Sequence, residues 1–411
     1  MDAISVLIVD DSALMRSLIG KIVEATPGLA VADKAMNGRF ALQKLSRAQP
    51  DVIVLDIEMP DMNGLDFLRE RRRLGIDIPV IILSSIAKEG ARITMECLEL
   101  GASDFVTKPS GSESADLHSV AKQLVELLSG YGNQYRLKKL SGTAKKLPLE
   151  QLRQWETGSS EHGRSTSSAD AFARDRTVPV APVTPAAVVR ARIPPVRGEM
   201  GGTERVAAQK PIPVREPGPI EIIAIGISTG GPNALREIFA RLSPDLPQPI
   251  VVVQHMPAGF TEEFANSLNK ICPLEVKEAA EGDLIKPGRI LIAPGDQHLA
   301  VERRPLATVA HLSSAPPQNG HRPSADVLFE SVSHEFQNRA LGIIMTGMGR
   351  DGAAKLAELY REGSRTIGQD EASSVVYGMP RVAWEIGGVM EQVSLQDMAD
   401  TINRYGKEFA R

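Results

Sequence analysis

Short apolar runs alternate with amphipathic stretches along most of the chain. In the N-terminal part, Val6–Val9, Val52–Leu55 and Val80–Leu83 are continuously apolar, which predicts strands buried on both faces. Between them, Met15–Thr26 and Gly38–Ala48 carry apolar residues at helical spacing, and Asp104–Thr107 adds a short later strand. From Ile220 the alternation starts again. Strand-like runs fall at Ile220–Ile227, Pro249–Gln254, Arg289–Ile292 and Ala340–Met345, with helix starts after Gly231, Thr261 and Gly352. Strands alternating with helices predict a doubly wound parallel sheet in the first part and a mostly parallel α/β sheet in the second. Ligands of such sheets sit at the carboxyl ends of the strands, so chemistry is expected there.

Between the two patterns the sequence changes character. Residues 132–218 are rich in Pro, Ala, Arg, Ser, Gly and Thr, as in Val178-Pro179-Val180-Ala181-Pro182 and Ile193-Pro194-Pro195. Such a composition buries too little apolar surface to offset the entropy of ordering, which predicts an extended tether. A short helix is expected within it at Leu149–Trp155. The reading is therefore a domain at 1–131, a linker at 132–218 and a second domain at 219–411. A length of 411 residues agrees with two or three domains, and 42% hydrophobic residues provide for full cores.

Composition narrows the class. A net charge of −4 argues against a general nucleic-acid binder. Cys97 and Cys272 lie far apart and read as reduced thiols. No basic start followed by an apolar segment occurs, and no run reaches the ~18 apolar residues of a membrane helix. A cytoplasmic monomer with no membrane insertion is expected.

The strand ends of the first domain carry charge. Asp10-Asp11 follows the first strand, Asp56 ends the next of these runs, Ser84-Ser85 the third, and Lys108-Pro109 follows the short later strand. Taken singly, Asp10 and Asp11 read as helix caps and Lys108-Pro109 as a plain turn. Together, three neighbouring carboxylates repel one another and call for a cation. Oxygen ligands without His or Cys favour Mg²⁺ over zinc. Lys108 adds positive charge able to pair with a phosphoryl oxygen, which makes Asp56 a candidate phosphoryl acceptor. Residues 3–130 closely resemble the receiver domain of two-component response regulators, a flavodoxin-like fold. The resemblance rests on Asp-Asp-Ser-Ala-Leu-Met-Arg at 10–16, Leu-Asp-Ile-Glu-Met-Pro at 55–60, Met62-Asn63-Gly64 and the run from Gly101 to Pro109. It implies that Asp56 is the phosphoacceptor and that Asp10, Asp11 and the Glu58 backbone carbonyl help hold Mg²⁺. Ser84 and Lys108 would contact the phosphoryl group, and Phe105 stands where the family often carries an aromatic switch residue.

The second domain opens on Gly226-Ile227-Ser228-Thr229-Gly230, an apolar strand running into a glycine-flanked serine before a helix. This spelling fits a nucleophile elbow, although similar turns also close loops or hold phosphates. Two further residues fall at later strand ends: His255 after Val251-Val252-Val253-Gln254, and Asp351 within Thr346-Gly347-Met348-Gly349-Arg350-Asp351-Gly352. A serine hydroxyl needs a base, a histidine can relay its proton, and a carboxylate fixes the tautomer. Backbone N–H groups near Thr229 and Met348 are candidate oxyanion donors. Alone, His255 reads as a packing residue and Asp351 as a helix cap. His298 is the rival base, while His311, His321 and His334 have no obvious serine and carboxylate companions.

The order Ser, His, Asp disfavours the α/β-hydrolases. Residues 219–405 instead closely resemble the catalytic domain of the chemotaxis protein-glutamate methylesterases. The matching motifs are Ile225–Pro232, Val253–Thr261, Ile292–Gly295 with His298, Met345–Ala353 and Gln369–Met379. The resemblance implies hydrolysis of glutamate γ-methyl esters on chemoreceptors, with glutamine deamidation as a second activity. Ser228 would be the nucleophile, His255 the base and then acid, Asp351 its orienting group, and the Met348 N–H an oxyanion donor, with no cofactor in this domain. A chemotaxis histidine kinase would supply the phosphoryl group, and phosphorylation of Asp56 would relieve a docked receiver. The linker is longer than the family's usual connector, so docking is expected to be looser or to rest more on the domain interface. The competing readings give the second domain a non-catalytic role in binding a nucleotide or protein, or, more weakly, DNA. The Gly226–Gly231 turn is not followed by the Lys-Ser/Thr of a P-loop and does not itself spell Gly-x-Gly-x-x-Gly.

Overall fold

The computed structural model describes residues 3–85, 87–108, 114–157 and 211–410. Five strands form the N-terminal sheet: β1 (Ile4–Val9), β2 (Leu29–Ala35), β3 (Val52–Asp56), β4 (Val80–Ser84) and β5 (Asp104–Thr107). All pair in parallel in the order β2-β1-β3-β4-β5, the doubly wound arrangement expected from the alternation. The helices are α1 (Ala13–Ala25), α2 (Gly38–Ala48), α3 (Gly64–Arg73), α4 (Lys88–Glu99) and α5 (Ser114–Leu140). The side chains of Ser12, Asn37 and Asn63 cap α1, α2 and α3 by accepting from first-turn amides.

Described structure continues past residue 132. Helix α5 continues to Leu140, with Tyr135 buried and its hydroxyl donating to Asp77 at 3.2 Å. Helix α6 (Leu149–Thr157) then packs on α2, where Leu152 is fully buried and Gln43 Nε2 donates to the Trp155 carbonyl at 2.8 Å. Averaged composition concealed these few apolar positions, which share one buried surface. At the other end, residues before 219 already lie on the second domain: Val214 N–H donates to the Arg361 carbonyl at 2.7 Å and Gly218 N–H to the Asn338 carbonyl at 3.0 Å. The remaining linker reading, for residues 158–210, lies outside the described residues.

The second domain is built on seven parallel strands: β6 (Ile222–Ile227), β7 (Ile250–Gln254), β8 (Glu275–Glu278), β9 (Arg289–Ile292), β12 (Ala340–Ile344), β13 (Arg365–Gln369) and β14 (Glu391–Val393). Their order is β14-β13-β12-β6-β7-β9-β8. An antiparallel hairpin, β10 (His298–Arg303) and β11 (Thr308–Ser313), packs beside α9 (Ala325–Phe336). Helices α7 (Gly231–Phe239), α8 (Phe260–Asn269), α10 (Ala353–Arg361), α11 (Met379–Glu385) and α12 (Leu395–Glu408) complete the layers. The short, half-polar strands β8 and β14 escaped the sequence pattern because little of their surface is apolar. From β6 the chain winds first toward β8 and later, through β12, toward β14. The switch between β6 and β12 opens a crevice at their carboxyl ends, where a doubly wound sheet binds its ligand.

The two domains share an apolar cluster. Ala91, Met95, Leu98 and Phe105 of the first are buried together with Phe260, Phe264 and Leu268 of the second. No helix among the described residues is long and apolar enough to cross a membrane.

Candidate active site and phosphoacceptor site

Ser228 follows β6 at the switch point. Its N–H donates to the Thr346 carbonyl at 3.0 Å, and its own carbonyl accepts from Gly231 N–H at 2.7 Å, closing the turn. Gly230 has φ 83°, a left-handed conformation that favours glycine, and is the N-cap of α7. Glycine at 231 answers a different need. A Cβ there would lie 1.8 Å from Gln254 Oε1, and Gln254 Nε2 donates to the Ser228 carbonyl at 3.0 Å and to the His255 carbonyl at 3.1 Å. Gln254 thus braces the backbones of both the serine and the histidine. Across the crevice, the loop after β12 passes so close that a Cβ on Gly347 would fall 2.8 Å from Ser228 Cβ. Met348, the next residue, lines the same cavity as Ser228 and Thr229.

His255 follows β7, the strand next to β6, and its Nε2 lies 2.8 Å from Asp351 Oδ2. Asp351 is buried beside the first turn of α9, accepting from Ser324 Oγ and Ala325 N–H at 2.6 Å each and from Asn319 Nδ2 at 3.0 Å. Burial opposes the Asp351 charge. Hydrogen bonds from His255, Ser324 and Asn319 outweigh it and hold the carboxyl well below the usual range. A charged Asp351 keeps the His255 proton on Nε2 and leaves Nδ1 as the acceptor. Nδ1 is buried with no hydrogen-bond partner among the described residues. Ser228 and His255 therefore share one cavity of about 560 Å³ without a direct hydrogen bond in this state.

His298, the rival base, is committed elsewhere: Nε2 lies 3.2 Å from the Pro316 carbonyl, and Nδ1 accepts from Ser324 N–H at 3.2 Å. His321 is not an idle loop histidine. Its ring stacks on His255 with centroids 3.9 Å apart and planes within 7°. Burial and the neighbouring His255 push its pKa down to about 4, so the stacked ring is neutral near pH 7. Sequence reasoning passed over Gln254, Asn319, His321, Ser324 and Asp326. The Asn319-Gly320 pair, a hairpin-turn signature, and the helix-capping Ser324 were the available signals.

In the N-terminal domain, oxygens of Asp10, Asp11 and Asp56 lie within 4.8 Å of one another. Burial and the neighbouring Asp56 raise the Asp10 pKa, and Asp10 Oδ2 is buried without a hydrogen-bond partner among the described residues. A buried carboxylate oxygen with no hydrogen bond, and with Lys108 Nζ 3.7 Å away, suits a hard cation such as Mg²⁺. Lys108 Nζ sits 2.7 Å from Asp56 Oδ1. Glu58 lies in the loop after β3 and, with Asp11, lines an adjoining cleft. The Ser84 hydroxyl is turned toward α4, 2.5 Å from Thr94 Oγ1 and 3.4 Å from the Gly90 carbonyl. Phe105 is buried and stacks on Phe260 of α8, with centroids 5.0 Å apart and planes at 8°.

The N-terminal domain closes one wall of the serine cavity. Asp104, Phe105, Thr107, Lys122, Gln123 and Glu126 line it opposite Ser228, His255 and Met348. Asp104 Oδ2 accepts from Gly230 N–H at 2.8 Å, and Asn233 Nδ2 donates to the carbonyls of Ala102 at 3.0 Å and Ser103 at 2.7 Å. Farther out, Glu99 of α4 pairs with Lys270 at 3.1 Å and accepts from Ser267 Oγ at 2.9 Å.

Comparison with known proteins agrees with this division. Residues 223–402 match the CheB methylesterase family and residues 6–121 the response regulator receiver domain. The chain is 63% identical over 410 residues to a protein-glutamate methylesterase/protein-glutamine glutaminase of Treponema denticola, spanning 100% of both chains. It is 62% identical to the protein of the same name from Treponema pallidum, covering 99% of this chain and 98% of that one. Among solved structures, the Thermotoga maritima CheB methylesterase catalytic domain is 34% identical, with a TM-score of 0.44, covering 45% of this chain and 98% of its own. By its two domains and its full-length relatives, this chain belongs to the protein-glutamate methylesterase/protein-glutamine glutaminase family of response regulators and is a hydrolase of that class.

Proposed function

We propose that the chain hydrolyses glutamate γ-methyl esters on chemoreceptors, and deamidates specific receptor glutamines, under control of phosphorylation at Asp56. The observation that carries the chemistry is the buried His255–Asp351 pair, with Nδ1 unpartnered and His255 lining the same cavity as Ser228. His255 Nδ1 takes the Ser228 proton as Oγ attacks the side-chain carbonyl, while Nε2–H remains donated to Asp351. Backbone N–H groups of Thr229 and Met348 receive the developing oxyanion. His255 returns the proton to the leaving methanol, or to ammonia from a glutamine. Water, activated by the same nitrogen, then releases the glutamate carboxylate and frees Ser228.

The regulatory part rests on the shared wall. The docked receiver narrows the space a receptor helix would enter. Asp10, Asp11 and Asp56, with the Glu58 backbone carbonyl, would hold Mg²⁺, which would shield the charge of the incoming phosphoryl group. The phosphodonor in this reading is a chemotaxis histidine kinase, met with the receptors' signalling ends in the cytoplasm. A phosphoryl group on Asp56 would draw Lys108 and the Ser84 hydroxyl to its oxygens. Drawing Ser84 away from Thr94 and Gly90 loosens α4, which packs on α8, and disturbs Phe105 on Phe260. With a connecting stretch longer than the family's usual one, closure would depend on the interface itself. Mass spectrometry of receptor peptides tests the substrates: methyl-glutamate and selected glutamines should both become glutamate. Peptides left unchanged by the activated chain would refute the assignment.

A further inference from the structure

The triad carboxylate does not stand alone. Asp326, in the first turn of α9, is a second buried carboxylate to which the mechanism gives no role. The two acids exchange helix ends. Asp351, just before α10, accepts from Ala325 N–H at the start of α9, while Asp326 accepts from Lys355 N–H in α10 at 3.2 Å. Burial, with the nearby Asp351 charge, raises the Asp326 pKa, as expected for like charges held out of water.

One side chain bridges them. Asn319 Nδ2 donates to Asp326 Oδ2 at 2.6 Å and to Asp351 Oδ1 at 3.0 Å, using both of its hydrogens. Carboxylate acceptors on both sides require the nitrogen, not the oxygen, of the amide to face them. Asn319 also occupies a special backbone position. Gln318 and His321 exchange two backbone hydrogen bonds, at 3.0 and 2.9 Å, around Asn319 at φ 51° and Gly320 at φ 82°. This is a two-residue hairpin turn with both central residues left-handed. Its far end carries His321, whose ring lies flat on His255. The hairpin therefore touches the triad twice, at Asp351 through an amide and at His255 through a ring.

We infer that Asn319 is a positioning residue: its amide ties the 318–321 hairpin to the triad acid and so holds the His321 ring against the face of His255. The imidazole is then fixed at one edge by Asp351 and on one face by His321, leaving Nδ1 as the unpartnered ring nitrogen. This inference rests on the triad reading above.

The test uses the full chain and two readouts, methanol release from methylated receptor membranes and the rate of Ser228 labelling by a fluorophosphonate. The second needs no receptor substrate. Asn319→Gly keeps the left-handed turn and removes only the amide. The expected result is a fall of about ten- to a hundredfold in kcat and labelling rate with KM nearly unchanged, because a misplaced general base costs rate rather than binding. Asn319→Asp, which keeps the shape but cannot donate, should lose as much. His321→Phe should keep most of the rate and His321→Ala should not. In an Asp351→Ala background, Asn319→Gly should add no further loss. Wild-type rates in Asn319→Gly or Asn319→Asp, or losses that simply add to Asp351→Ala, would overturn the inference. Wild-type rates in Asp351→Ala would overturn the triad reading beneath it.

Discussion

The carboxylate of Asp104, at the start of the receiver's last strand, accepts the backbone N–H of Gly230 in the turn that carries Ser228, at 2.8 Å. The receiver thus places a buried carboxyl group at the start of α7, two residues from Ser228. The contact is buried, and its surroundings are part apolar, through Phe105 and Phe260, and part polar, through Asn233. The receiver and the Ser228 turn are joined at the candidate site.

Docking should depend on pH through Asp104. Burial pushes its pKa up to about 7, against the hydrogen bonds from Gly230 and Phe105 that favour the charged form. Released from the interface, it returns toward the ordinary carboxylate value near ~3.9. The docked state binds this proton more tightly, so its contribution to docking is fully present below the ordinary pKa and is lost as pH rises through about 7. The neighbouring Tyr131, with a strongly raised pKa, stays neutral across this range, while Lys122 and Glu126 line the cavity nearby. The stimulation ratio, phosphodonor over basal rate, should be larger at pH 6 than at pH 8, and Asp104→Asn should flatten it. Equal ratios at both values in the wild type would contradict this.

Phe105→Ala removes the stack on Phe260. An aromatic pair contributes about 0.5–1.5 kcal/mol beyond its buried area, enough to shift a closed state several-fold. Basal methanol release should rise several-fold and respond less to phosphodonor. A basal rate equal to wild type would show that the stack does not hold the domains together.

Asp351→Asn should lower kcat by about 10³–10⁴-fold with a modest change in KM, because an amide can present its oxygen or its nitrogen to His255 Nε2 and no longer fixes the tautomer. Steady-state kinetics on the phosphodonor-treated chain would measure it. A loss confined to KM would place Asp351 in binding rather than catalysis.

Gly231→Ala would drive a methyl group into Gln254 Oε1, disturbing the amide that braces Ser228 and His255. Overpacking of this kind costs about 1–3 kcal/mol. Thermal melting should show a lower Tm and the esterase rate should fall with it. A variant with unchanged melting and activity would mean the glutamine moves aside freely.

Most of the fold was legible because β1, β3, β4, β6, β7 and β12 are buried on both faces and spell themselves as apolar runs. The strand-end rule then pointed to Asp56, Ser228 and His255 before any geometry was available. What escaped notice depended on contacts distant in sequence. His321 stacks on a residue 66 positions earlier, a relation no local pattern encodes. Helix α6 was foreseen only as a short isolated segment, because the partner that stabilises it, α2, lies about a hundred residues upstream. The Ser84 orientation toward Thr94 was equally hidden, since the motif gives the residue but not its rotamer.

The central claim is that Ser228 performs an esterase reaction which the receiver restrains until Asp56 is phosphorylated. The most direct measurement is methanol release from methylated receptor membranes by the full chain, with and without a small phosphodonor and Mg²⁺, for wild type, Ser228→Ala and Asp56→Ala. The expected result is stimulated release by wild type, none by Ser228→Ala, and an unstimulated basal rate by Asp56→Ala. Release by Ser228→Ala at the wild-type rate, or full stimulation of Asp56→Ala, would contradict it.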